Sequence, residues 1–169
     1  MPPLVSQHIH PAGTWRGDHD SVSLSYDARF LRRRMLTTTK GTRFLADLAQ
    51  TTSLDHGDAF ELQGGTLVEV VAAREDLIEI TGPDLMRIAW HIGNRHTPCQ
   101  IEPGRLLIQR DHVMQDMLGR LGTITRHVSE PFAPEGGAYG HGRTHGHDHT
   151  ASHGHSHTHE HEHEHEHEH

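Results

Sequence analysis

The stretch TGPDLMRIAWHIGNRHTPCQIEPGRLLIQRDHVMQDMLGRLG, residues 81–122, decides the fold. Its first part, 81–96, predicts a helix. Pro83 stands near the first helical position, where a missing N–H costs little, and Asp84 suits the positive end of the helix dipole. Leu85, Ile88, Ala89 and Ile92 recur at helical spacing as one apolar stripe. His96, four residues after Ile92, extends that stripe, whereas His91 falls off it. Pro98 stops the helix. CQIE (99–102) and RLLIQR (105–110) read as two strands joined by a Pro-Gly turn at 103–104. Asp111 caps a second helix, whose apolar face is Val113, Met114, Met117, Leu118 and Leu121.

Working outward, LVEVVAAR (67–74) is a strand that LIEI (77–80) continues or pairs with, and TITRHV (123–128) is a final strand. The resulting order, β-α-β-β-α-β over residues 66–129, is that of the ferredoxin-like split βαβ fold. Upstream, VSLSY (22–26), RRRML (32–36), RFLADL (43–48) and AFEL (59–62) are short strand-like runs. Turn signals at 40–42, 55–58 and Gly64–Gly65 separate them, which predicts a small all-β domain over 21–65. Residues 1–20 are polar, hold His8, His10 and His19, and read as a flexible arm. Prolines and glycines mark a linker over 130–140, and the His-rich tail at 141–169 has no apolar side chain beyond Ala151, so it is expected to be disordered. The fold class expected is therefore α+β: an N-terminal all-β domain, a ferredoxin-like βαββαβ domain and a disordered tail.

Charge and cysteine usage narrow the function classes. Asp148 and five glutamates against Arg143 leave the tail at −5, and the rest of the chain at −3 of the total −8. A body so close to neutral gives no electrostatic case for nucleic acid or an anionic membrane. Cys99 is the only cysteine, so no internal disulfide forms, which suits a reducing compartment. MPPLVSQHIHPAG lacks the basic and apolar regions of a secretory signal, and no apolar run reaches the ~18 residues of a membrane helix. A cytoplasmic location is the expectation.

The chemistry on view is metal binding. Thirteen of the 21 histidines lie in the tail: His141, His145, His147, His149, His153, His155, His157, His159, His161, His163, His165, His167 and His169. Neutral imidazole suits nickel, zinc, copper and iron, and thirteen of them can hold on the order of two to three ions. Interleaved glutamates lower the electrostatic cost of collecting divalent cations. Residues 141–159, irregular in composition, read as native, while the terminal HEHEHEHEH (161–169) has two readings, native sequence or an added affinity handle. At the end of an apolar stripe, His96 reads on spacing as a core or interface histidine before it reads as a ligand. His112, beside Asp111, reads as a first-turn residue after a cap, with metal ligation the alternative. Arg32–Arg33–Arg34 read as a solvated edge strand protected against aggregation, with phosphate or an acidic partner the alternative. The chain has no G-x-x-x-x-G-K-[ST], no H-E-x-x-H and no G-x-S-x-G, and no convincing nucleophile–base pair, so an enzyme is not expected.

HIGNRH (91–96) followed by DHVMQDMLGRLG (111–122) resembles the urease accessory protein UreE family of nickel metallochaperones. RRRML with Gly41, LDHGD (54–58) and LVEVVAAREDLIEI (67–80) support the likeness, which covers about residues 22–128. The resemblance implies an N-terminal domain like peptide-binding chaperone modules and a ferredoxin-like metal domain. It implies a homodimer in which His96 from each subunit meets its mate to bind one Ni²⁺. His112 is the second metal position it implies, although the family's further histidine two residues earlier is Arg110 here. It implies delivery of Ni²⁺ through a urease accessory GTPase to the urease apoprotein and its accessory complex, with Zn²⁺ or Cu²⁺ as further ions that bind. The alternative is a nickel or zinc buffer without specific delivery.

Overall fold

The computed structural model describes residues 2–137. The expectations for the tail histidines and for its disorder lie outside those residues.

Two sheets divide the chain. The first contains β1 (Leu4–His10), β2 (His19–Leu24), β3 (Phe30–Thr37), β4 (Arg43–Ser53), β5 (Ala59–Leu62) and β6 (Leu67–Ala72), in the order β2-β6-β5-β1-β4-β3. Alternation explains its single buried face: Phe44, Ala46 and Leu48 on β4, Phe60 and Leu62 on β5, and Val68 and Val70 on β6 all point inward. The rings of Phe44 and Phe60 meet edge to face at 5.2 Å in that core.

Two expectations are corrected here. The polar N-terminal segment is not a loose arm. Leu4–His10 lies inside the sheet, parallel to β4 and antiparallel to β5, and ladder hydrogen bonds on both sides replace the missing apolar pattern. Likewise Leu67–Ala72 does not open the second domain. It pairs with β2 and β5, and the change of sheet falls at Ala73.

The second sheet holds β7 (Arg74–Thr81), β8 (Gln100–Glu102), β9 (Arg105–Gln109) and β10 (Ile124–Pro131), all antiparallel, in the order β10-β7-β9-β8. The helices α1 (Leu85–Asn94) and α2 (His112–Arg120) cover one face. Ile78, Ile80, Leu106 and Ile108 of the strands pack there with Ile88 and Ile92 of α1 and Met114 and Leu118 of α2. This is an α+β domain. Among the described residues no helix is long and apolar enough to cross a membrane.

The other face of this sheet meets the first domain. Leu77 and Leu107 enclose Phe132, against which the ring of Tyr26 stands edge-on at 5.5 Å. The buried guanidinium of Arg29 donates to the carbonyls of Leu24, Leu54 and Phe132, at 3.1, 3.2 and 2.5 Å. A buried cation is tolerated because carbonyl dipoles replace its water. Further along the same face, Arg105 bridges Glu79, Glu102 and Glu130, and its guanidinium holds the Glu130 carboxyl below the usual carboxylate range.

After β10 the chain runs to the opposite edge of the sheet. Ala133 N–H donates to the Gln100 side chain and Glu135 N–H to the Cys99 carbonyl, each at 2.9 Å. The route to residue 138 therefore leaves beside β8.

Candidate metal centre

The centre is built on the end of α1. Asp84 is the N-cap, accepting from Arg87 N–H at 3.3 Å, so Pro83 stands just before the cap rather than in the first turn. The inward stripe is as the spacing predicts: Ile88 and Ile92 are buried, with Leu85 and Ala89 partly buried against the same cluster. Its end differs. The helix stops at Asn94, Arg95 is the C-cap, and His96 takes φ 56°. It is the only positive-φ residue other than glycine among the described residues.

That left-handed step lies just past the helix, where glycine is the usual occupant. It points His96 out of the stripe, and the residue is exposed. Several contacts hold the turn: His96 N–H donates to Gly93 O at 3.0 Å, Thr97 N–H to Ile92 O at 3.4 Å, and Thr97 Oγ1 to Met114 Sδ at 3.8 Å. The imidazole thus sits on a segment pinned between both helices. A strained backbone at an exposed histidine is the type of outlier that clusters at functional sites.

Beside it, α1 carries a second stripe that the inward one obscures. Met86 and Trp90, four residues apart on the outer surface, are 87% and 64% exposed. Trp90 stands edge-on to the half-buried His91 at 5.0 Å. The outward spacing of Met86 and Trp90 is visible in the sequence, but the inward stripe alone is enough to predict the helix.

His112 is the first residue of α2 and is exposed. The capping reading of Asp111 is borne out: its Oδ1 accepts from Val113 and Met114 N–H at 2.9 and 3.1 Å. The positive end of the α2 dipole opposes a cation at His112. Arg110, at 3.8 Å from Asp76, adds to that opposition.

Cys99, three residues after His96, is half-buried, and burial together with the nearby Glu135 carboxylate pushes its thiol up to about 11. Near neutral pH the metal-free thiol is therefore protonated. Among the described residues no three side chains of His, Cys, Asp or Glu converge to hold an ion.

The chain has close counterparts among known proteins. Residues 5–73 match a family model described as the N-terminal domain of the UreE urease accessory protein, and residues 75–169 match that for its C-terminal domain. A protein of Ruegeria pomeroyi named urease accessory protein UreE is 67% identical over 137 residues, covering 81% of this chain and 92% of the relative. One of the same name from Cereibacter sphaeroides is 61% identical over 133 residues, covering 78% and 72%.

Proposed function

Because the chain belongs to the UreE family of urease accessory proteins, and so assists the maturation of an enzyme rather than being one, we propose that it is a cytoplasmic nickel metallochaperone. Ni²⁺ is its cargo. In this reading the tail histidines, His141 to His169, gather the ion by many exchangeable contacts. His96 from two copies of the chain then holds one ion between them. Delivery proceeds by ligand exchange to a urease accessory GTPase and the urease apoprotein complex.

The observation that carries the reading is the placement of His96. It is an exposed imidazole on a pinned, left-handed turn, beside the exposed apolar pair Met86 and Trp90. In this reading the same pair of a second copy covers it about a two-fold axis, and the two His96 rings meet at that contact. An apolar contact of this kind both joins the copies and excludes water around the ion. Two imidazoles leave the coordination shell incomplete, which is what a carrier that must release its ion requires. Cu²⁺ and Zn²⁺ fit the same donors, and Cu²⁺ binds them better than Ni²⁺, so choice of ion rests on docking and supply rather than affinity.

The path of the chain supports the tail's role. Glu135 is hydrogen-bonded beside Cys99, and the six steps from there to His141 span at most ~20 Å. The collector is therefore tethered next to the carrier site, where its local concentration is high. His112 belongs to this proposal only as an auxiliary ligand, given the dipole against it. The strand order β10-β7-β9-β8 with two helices on one face supports the ferredoxin-like reading of the second domain. The domain limits we propose are 2–73 and 74–137, followed by the tail.

Equilibrium dialysis of Ni²⁺ tests it, with the full chain, a chain ending at Gly137 and His96→Ala. We expect one ion per two chains to survive the truncation and to be lost in His96→Ala. Retention of that ion by His96→Ala would leave a tail that only buffers metal.

A further inference from the structure

His8 and His10 stand on either side of Ile9 in β1. Ile9 packs against the core of the first sheet, so the two imidazoles share its outer face. Glu61 of β5 lies directly opposite His8, with Ile9 opposite Phe60 and His10 opposite Ala59. The bulge in β1 falls before His8, so the ladder from His8 to His10 is regular. That register sets the contacts. His10 Nε2 lies 2.7 Å from Glu61 Oε2, and His8 and Glu61 line one surface hollow of about 230 Å³ with Val5 and Gln63. Two of these three donors already touch, and convergence lacks only the His8 ring. His8 is exposed, so its ring is free to change rotamer.

Two neutral imidazoles and one carboxylate are donors that suit divalent ions such as Zn²⁺ and Ni²⁺. Ligand atoms ~2.1 Å from a tetrahedral ion stand ~3.4 Å from one another. The His10–Glu61 pair, at 2.7 Å, has to open by only ~0.7 Å to admit one. Its side chains are 39% and 40% exposed, so the pair itself adds little to stability and gives way at small cost. Side chains two apart on a strand are ~6.6 Å apart at their base, a gap that two imidazoles tilting together close on one ion. The first sheet holds no helix, so no helix dipole opposes a cation here as it does at His112. A second pair on the same face, His19 with Glu69 at 3.0 Å, lacks the further imidazole: the residues two away from His19 are Gly17 and Ser21.

We propose that His8, His10 and Glu61 form a metal site on the first domain that takes one divalent ion of the Zn²⁺ and Ni²⁺ type. His10 and Glu61 part to receive the ion, and His8 turns in as the third ligand. A fourth position stays open to water. The bound ion ties β1 to β5 through their side chains. The site uses none of the residues assigned above to collecting or carrying nickel, so the two readings stand or fall separately.

Carbethoxylation of the full chain tests it, with the rate at each histidine read by peptide mass spectrometry. A chelator buffer fixes free Zn²⁺, so uptake elsewhere on the chain does not deplete it. At free Zn²⁺ about ten times the titration midpoint, His8 and His10 should both react about tenfold more slowly than without metal. His19 should keep its metal-free rate. Glu61→Gln, nearly the same shape, should abolish the protection of both rings. His8→Ala should abolish that of His10, which a plain His10–Glu61 pair would not do. His96→Ala should leave the protection as it is in wild type. The changes at positions 8 and 61 are at the surface, and a metal-free urea midpoint equal to wild type shows that each variant keeps the fold. Unchanged rates at His8 and His10 under Zn²⁺ overturn the site, as does protection that survives Glu61→Gln. Equal slowing at His19 would mean that single imidazoles take the ion, and overturns it too. Protection lost in His96→Ala would mean that pairing of chains shields β1, with no ion held there.

Discussion

The N–H of Glu135 donates to the carbonyl of Cys99 at 2.9 Å, three residues along the chain from His96. The segment that leads to the tail is therefore fastened at the foot of the turn that presents the His96 imidazole. In the proposed reading, tethering makes transfer from tail to His96 an intramolecular event. A 30-residue Gly/Ser insert after Gly137 lengthens the six-residue path from Glu135 to His141 to about 36 residues. With the −3/2 power of tether length, the effective concentration at His96 should drop roughly 15-fold. Stopped-flow nickel transfer at fixed total metal measures this, and an unchanged rate would mean that the tail does not feed the site.

The left-handed backbone at His96 separates strain from ligation. Glycine takes φ 56° freely and a β-branched residue does not. His96→Gly should unfold in urea at no lower a midpoint than wild type, whereas His96→Ile should lose about 1–2 kcal/mol. Both should lose the carrier ion in dialysis. A stable His96→Ile would mean that the turn relaxes when the imidazole is gone.

Arg29 joins the two domains through three carbonyls. Arg29→Met fills much of the same space and leaves the Leu24, Leu54 and Phe132 oxygens without that donor. The Leu24 oxygen keeps the Ala73 N–H at 2.9 Å, so at about 1–3 kcal/mol for each of the other two buried groups left unsatisfied, the loss should reach at least ~2 kcal/mol. Urea unfolding followed by tyrosine and by tryptophan fluorescence should then show two separated transitions where the wild type shows one. Coincident transitions would mean that Tyr26 and Phe132 alone keep the domains coupled.

The Cys99 thiol should be slow to alkylate. Its ionisation, pushed up to about 11 by burial and by Glu135, leaves ~0.1% thiolate at pH 8. Iodoacetamide should therefore react on the order of a hundred times more slowly than with an unhindered peptide thiol of pKa ~8.5. The sign for stability follows: the unfolded thiol ionises first, near 9.0, so as pH rises from there to about 11 the folded state loses stability. Below 9.0 the thiol is neutral in both states and contributes no pH dependence. Alkylation at the free-peptide rate would place the thiol in open solvent.

Much of this was legible in the sequence, where side-chain pattern and structure have the same cause. Asp84 and Asp111 announce their helices because a cap is a local hydrogen bond, and the Leu85–Ile92 stripe announces the face that α1 buries. β1 was illegible because its inward positions include Ser6, which is 0% exposed, so no apolar alternation marks it. Its place is set by partners some forty to fifty residues away. LVEVVAAREDLIEI conceals a change of sheet because Ala73 is neither glycine nor proline, and only tertiary pairing divides it. At His96 the spacing argument needs one correction. Helical spacing carried the inward stripe to His96, but the backbone reverses hand there and presents the ring to solvent.

Among the described residues, Phe132 is the last that either core buries. The tail histidines, from His141 on, take no part in the buried clusters formed by the described residues. If the tail gathers metal as proposed, selection can thus tune how much of it the molecule holds, in response to how scarce that metal is, without re-solving the folding problem. Mutations in this part of the chain are drawn from a space where stability exerts almost no veto.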